Sequence, residues 1–245
     1  MNLGSVMTTI ASMTVRALLG RRRTLLMLLL AGAPVLLGLL VQLGNGPRPR
    51  TLVPSLEGLL ITSVLPLVAL VFGTAALGSE LDDGTAVHVL TKPIPRWSIV
   101  LPKVAVAGGL TAGLLVPSTL LAGILLGGTA SRELSITVAF AVAVLIGSIV
   151  YVAIFVALSA ATSRGLVIGL GYSLLWEGLL SGALPGTQLF SVREYLRGIV
   201  ATLAPPGTLE SVVGGQGFVL AVAATVIVTT LASMRLARYE IRAAE

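Results

Sequence analysis

Residues 79–103 read SELDDGTAVHVLTKPIPRWSIVLPK. This is the longest polar interruption in the first two thirds of the chain. It holds three of the ten acidic residues, the single histidine, both lysines and three prolines. On either side the sequence stays apolar for about 20 residues or more, enough for a helix to cross about 30 Å of hydrocarbon. A polar hairpin between two such runs must emerge at one face of the bilayer, because its backbone and charges find no partners in lipid. The stretch therefore sets the fold class: an all-α, polytopic membrane protein.

Composition agrees. The 245 residues are 56% hydrophobic and 11% charged, with a mean hydropathy of +1.02, against roughly 25% charged in an ordinary soluble domain. That leaves too little polar surface to cover a water-soluble globule. Sixteen basic and ten acidic residues give a net charge of +6. The cations sit at the ends of apolar runs, where they set orientation and meet lipid head groups, and no nucleic-acid-binding motif appears. The absence of cysteine excludes disulfides, thiolate metal sites and cysteine nucleophiles. One histidine makes no metal cluster, so none is expected.

Six spans are predicted, over about 24–43, 56–78, 100–127, 135–160, 165–184 and 216–236. They form one transmembrane domain over residues 1–245. The run from Leu134 to Leu184 is too long for one span, and Thr162-Ser163-Arg164 supplies a turn within it. Before the first span, Leu3, Val6, Ile10, Met13 and Ala17 recur at helical spacing, which predicts an amphipathic helix lying at the membrane interface. Arg21, Arg22 and Arg23 followed by Ala31-Gly32-Ala33 has the look of a cleaved leader. The apolar run continues about ten residues further, so a retained span is expected. Eleven basic residues fall beside the termini, the 79–103 loop and Arg164; five (Arg48, Arg50, Arg132, Arg193 and Arg197) fall on the other side. The richer side is expected to be cytoplasmic.

The last external segment, Pro185 to Gly215, has its own pattern. Leu189, Val192, Leu196, Ile199 and Leu203 share a helical face, Ser191 and Glu194 fit a capping box, and Pro205-Pro206 ends the helix. A short amphipathic helix at the outer interface before span six is expected. Within the spans, Glu177 in LLWEGLL is the one well-embedded acid. It reads either as part of a substrate path or subunit contact, with Tyr172 and Trp176, or as a carboxylate reaching the outer interface beside a belt aromatic. Glu57, at the outer end of the second span, reads as interfacial. Pro34, Pro66 and Pro117 are expected to kink their helices. The pairs Gly109/Gly113, Gly123/Gly127 and Gly165/Gly169 are expected at close helix contacts.

The loop itself can form a short helix from Ser79 to Leu90, capped by Ser79, with Glu80, Asp82 and Asp83 at its positive end. Gly84 marks a bend, and Pro93 and Pro95 block continuation into the third span. Arg96, Trp97 and Lys103 would anchor the return at the interface. The plainer reading is a solvated turn with anchoring charges. No phosphate-binding loop, zinc-protease motif, nucleophile elbow or channel filter is present.

The spacing of Glu80, Gly84, Thr85, Leu90, Pro93 and Arg96, followed by Lys103, resembles the first cytoplasmic loop of type-2 ATP-binding-cassette (ABC) permeases. Their pattern there is E…GT…L…P-I-x-R…K. Pro102 departs from it, standing where a glycine is common. The six-span order, the helix before the first span and the amphipathic segment before the last are similar too. The resemblance implies the permease subunit of an ABC exporter in a bacterial plasma membrane, with both termini cytoplasmic. Two copies, or this chain and a paralogue, would pair across the first and fifth spans. Two separate cytosolic ATPase subunits, which bind the ATP and Mg, would receive the loop helices. Glu80, Gly84, Thr85, Leu90, Pro93 and Arg96 would form the coupling element, and no catalytic residue is expected. The apolar spans suit a hydrophobic or amphiphilic cargo. Two other classes stand beside this: a gradient-driven secondary transporter or channel using Glu177, and a membrane-embedded enzyme, for which no polar cluster is visible.

Overall fold

The computed structural model describes residues 3–82, 95–162, 164–180 and 187–242, and among them there is no strand. α1 (Leu3–Leu18) precedes α2 (Arg21–Asn45) and the short α3 (Pro49–Ser55). A π-helical segment, Leu56–Val64, leads without a break into α4 (Leu65–Asp82). α5 (Trp97–Gly127) and α6 (Ser131–Ala161) follow, each of 31 residues. α7 (Gly165–Gly171) continues as a second π-helical segment, Tyr172–Leu180. A single 3-10 turn, Thr187–Phe190, precedes α8 (Val192–Leu203), and another, Gly214–Gln216, precedes α9 (Gly217–Arg242).

Among the described residues, five helical stretches are long and apolar enough to cross a membrane: Thr24–Gly44, Pro49–Gly78, Trp97–Gly127, Ser131–Ala161 and Gly214–Ala237. Of the expected fifth span, 165–184, the described residues form helix from Gly165 to Leu180, within which Gly165–Glu177 is a shorter apolar helix. The chain is an integral membrane protein with, among the described residues, five helices of spanning length and this shorter one.

α6 is the central post. It packs against α4, α5, α7, α8 and α9, and Phe140, Val144, Tyr151, Val152 and Phe155 along it are almost wholly buried. α2 lies mainly on α5, and α1 crosses α5 and α4. The molecule therefore has two ends: one carries α1 and the 82–95 connection, the other carries α8.

Local chemistry explains the breaks. α2 and α5 stop at Gly46 (φ 77°) and Gly128 (φ 85°), whose backbones enter a region side chains disfavour. The first π-helical segment ends just before Pro66. A proline has no N–H and its ring crowds the carbonyl four residues back, so a widened turn ahead of it relieves the conflict. There the Leu65 N–H reaches Leu60 O, and the hydroxyls of Thr62 and Ser63 bond to Glu57 O and Gly58 O, five residues back. Pro34 is met from outside: the Ser118 hydroxyl of α5 donates to Ala31 O beside it.

The glycine pairs divide. A side chain at Gly123 would collide with Thr137 of α6, and one at Gly169 with Leu70 and Phe155. Gly109 and Gly113 face open space within the chain. α1 turns Thr14 and Leu18 inward with Ile10 packed beside them, and leaves Met13 and Ala17 exposed. The inward stripe is thus rotated from the expected face, because α5 and α4 take one side of the helix.

Candidate functional site

At the α1 end, α4 runs straight through Ser79 and Glu80 to Asp82. Ser79 therefore does not cap a new helix. Gly78-Ser79-Glu80 contains no proline, and helical bonding simply continues. Gly84, Thr85, Leu90 and Pro93 lie outside the described residues. Arg96 is the N-cap residue of α5, half-buried, and its carbonyl accepts the N–H groups of Ile99 and Val100. Trp97 beside it is exposed.

Lys103 departs from the expected interfacial anchor. It is 1% exposed, and its Nζ donates to Ala76 O of α4 at 2.6 Å. An ammonium removed from water needs such a partner. α1 packs against both helices that the bond joins. The bond fixes the two helices to each other at the base of the 82–95 connection.

The densest polar cluster lies at the other end. Glu177, in the second π-helical segment, is 1% exposed. Its Oε1 accepts from the Tyr172 hydroxyl (2.9 Å) and the Val192 N–H (2.9 Å). Its Oε2 accepts from the Ser191 hydroxyl (2.7 Å) and the Arg193 N–H (3.2 Å). Val192 and Arg193 open α8, whose first N–H groups have no partner within the helix. The Glu177 carboxylate fills that place and faces the positive end of the helix dipole. Glu177 is thus buried within the chain rather than exposed on its surface.

Half of the capping box at Ser191 is present: its hydroxyl accepts from Glu194 N at 3.3 Å. The reciprocal bond is replaced. Glu194 Oε1 accepts instead from the Ser211 hydroxyl and the Val212 N–H, both at 2.8 Å, and so ties the segment before α9 to α8. α8 also turns most of its length inward. Val192, Glu194, Tyr195, Leu196, Gly198, Ile199 and Val200 are all buried, because the helix packs against α6 and α9. Leu189 and Leu203 of the expected apolar stripe are exposed.

Glu57, in the first π-helical segment, is engaged on α8. Its Oε1 lies 3.2 Å from Arg193 Nη2 and 3.3 Å from Arg197 Nε. Arg197 also donates from Nη2 to Glu210 O at 3.0 Å, and its Nη1 is 3.7 Å from Glu194 Oε2. Arg193 Nε and Arg197 Nε are buried without a well-formed hydrogen bond. The signal in the sequence was two cations one helical turn apart in an apolar setting, which require a counter-charge.

Of the three residues expected together, Tyr172 and Glu177 meet directly. Trp176 instead donates its indole N–H to Phe190 O at 3.4 Å, another tie to the segment entering α8. Tyr172 meets Phe155 edge-on (6.4 Å between ring centres), and Phe155 stacks on Tyr151 (6.2 Å), which joins the cluster to the central helix. The Tyr195 phenol donates to Leu189 O at 2.6 Å. Burial, and then the charge of Glu177, push its pKa above the ordinary value, so it stays a donor.

Chemically, the cluster binds one helix to three neighbouring segments. Each Glu177 oxygen already receives two protein donors, an arrangement suited to holding a helix end. Nothing in it resembles a nucleophile with its base, and the described residues hold no cluster of metal-ligating side chains. No curated protein sequence matches the chain. The family model described as "ABC-2 family transporter protein" matches residues 3–239, from α1 into α9, so the chain, with its buried apolar bundle, belongs to the ABC-2 transporter family.

Proposed function

We propose that this chain is the permease subunit of an ATP-driven exporter whose energy comes from separate cytosolic ATPase chains. The observation that carries the reading is the family match over 3–239, which covers the chain from α1 into α9. In this reading the α1 end is cytoplasmic. The stretch from Glu80 to Arg96, including Gly84, Thr85, Leu90 and Pro93, docks on the ATPase. The two ATPase subunits bind ATP and Mg. The Lys103–Ala76 bond supports this mechanically: a push on the connection reaches α4 and α5 as one unit, because the ammonium ties them together at its base.

Two permease chains, identical or paralogous, pair across α2 and α7. These helices support the pairing by leaving apolar side chains uncovered: Leu25, Leu29, Leu36 and Leu40 on α2, Leu166 and Val167 on α7. The membrane is a bacterial plasma membrane, with both termini inside. A hydrophobic or amphiphilic cargo is favoured by a groove of about 300 Å³ between α5, α6 and α9, lined by Leu101, Val104, Ala105, Gly109, Leu145 and Ile149 among others. None of the residues lining it is charged. The competing gradient-driven reading needs Glu177 to take up a proton or cation, and the four donors already on that carboxylate speak against it.

The test is purification of the tagged chain from its own cell, followed by ATP hydrolysis in nanodiscs. An ATPase should co-purify, and its activity should change when the permease is present. Arg96→Ala should lower permease-dependent ATP hydrolysis while the protein remains inserted. Transport by the purified chain with no nucleotide-hydrolysing partner would overturn the proposal.

A further inference from the structure

The ties on α8 are unequal, and the inequality predicts how the helix moves. Toward Glu177 they are saturated: two backbone amides and two hydroxyls share its two oxygens, at 2.7 to 3.2 Å, with the carboxylate 1% exposed. The Trp176–Phe190 bond adds a second link from the same segment. Toward the second span the grip is poor. One oxygen of Glu57 serves two guanidinium groups, and neither engages it in the two-bond fork that makes such pairs strong. Both Arg193 and Arg197 keep a buried Nε–H without a well-formed bond. Glu57 itself sits in a π-helical segment, a geometry rare in proteins and frequent at functional sites. Arg197 also has alternative acceptors at hand, Glu194 and the Glu210 carbonyl.

We infer that Glu177 is the positioning residue that makes α8 travel with the α7 segment, and that Glu57 is a latch from the second span that releases α8 during the transport cycle. When the bundle changes state, α8 pivots on its N-terminus at Glu177, and Arg193 and Arg197 exchange Glu57 for other acceptors. This rests on the exporter reading, but half of its test does not.

In the permease alone, hydrogen exchange reads the anchor. Glu177→Gln should deprotect the amides of Val192 and Arg193. Glu57→Gln should leave those two protected while exchange rises elsewhere along α8. Equal deprotection of Val192 and Arg193 by both variants would overturn the inference, whether or not an ATPase is involved.

In the complex with its co-purified ATPase, the cysteine-free chain permits site-specific bridging. Glu57→Cys with Arg197→Cys, joined by a reducible bis-methanethiosulfonate of matching span, should abolish stimulated ATP hydrolysis, and reduction should restore it to the unbridged level. Glu177→Cys with Ser191→Cys, bridged likewise, should keep its unbridged rate. Full activity with the 57–197 bridge closed, or loss with the 177–191 bridge closed that reduction reverses, would overturn it. Recovery on reduction separates locking from misfolding.

Discussion

Replacing Glu177 should damage stability before it damages anything else. In Glu177→Leu, the amides of Val192 and Arg193 lose their acceptor in a buried place, as do the hydroxyls of Tyr172 and Ser191. Hydroxyls rotate to other acceptors, but the two amides are fixed by α8. Each orphaned buried donor costs about 1–3 kcal/mol, and the lost charge at the helix N-terminus adds up to about 2 kcal/mol. The expected loss is about 2–8 kcal/mol for Leu. Glu177→Gln keeps one acceptor oxygen and should lose roughly half as much, by the same magnitudes. The assay is reversible unfolding in mixed micelles, with wild type and both variants in parallel. The order Leu worse than Gln worse than wild type is required. A loss below about 1 kcal/mol for Leu would show that α8 does not depend on this carboxylate, and would refute the reasoning.

Other outcomes follow from the same geometry. Gly123→Leu should push α5 from α6 at Thr137 and cost about 1–3 kcal/mol, whereas Gly109→Leu, with open space around it, should stay within about 0.5 kcal/mol in the same unfolding assay. Ser118→Ala removes the interhelical bond to Ala31 O and should cost about 0.6 kcal/mol, up to about 1.7. A double-mutant cycle on Glu57→Gln and Arg197→Gln should give a coupling of no more than about 1 kcal/mol, since the pair is partly exposed and bonded at one oxygen. Lys103→Met should leave the protein folded but uncouple permease-dependent ATP hydrolysis, measured beside Arg96→Ala, because the tie between α4 and α5 at Ala76 is lost.

The sequence by itself determined the class and the order of the helices. Apolar runs longer than the hydrocarbon layer, charges confined to their ends and a polar, proline-rich stretch at 79–103 allow no other class of fold, because lipid offers a backbone no partners. Ser191 and Pro205-Pro206 marked the limits of α8, since capping and proline chemistry act within a few residues. Contacts between distant segments were decided only in the tertiary structure. Whether Glu177 meets an interface, a cargo or a helix end depends on a partner 14 to 16 residues away. Glu57 and Arg193 lie 136 residues apart in the chain, with nothing local to relate them. Lys103 reads as an interfacial anchor in the sequence, and only the packing of α4 on α5 buries it against Ala76 O. Periodicity records which face of a helix is apolar. Which neighbour covers that face, and which buried charge answers which donor, is fixed only when the helices pack.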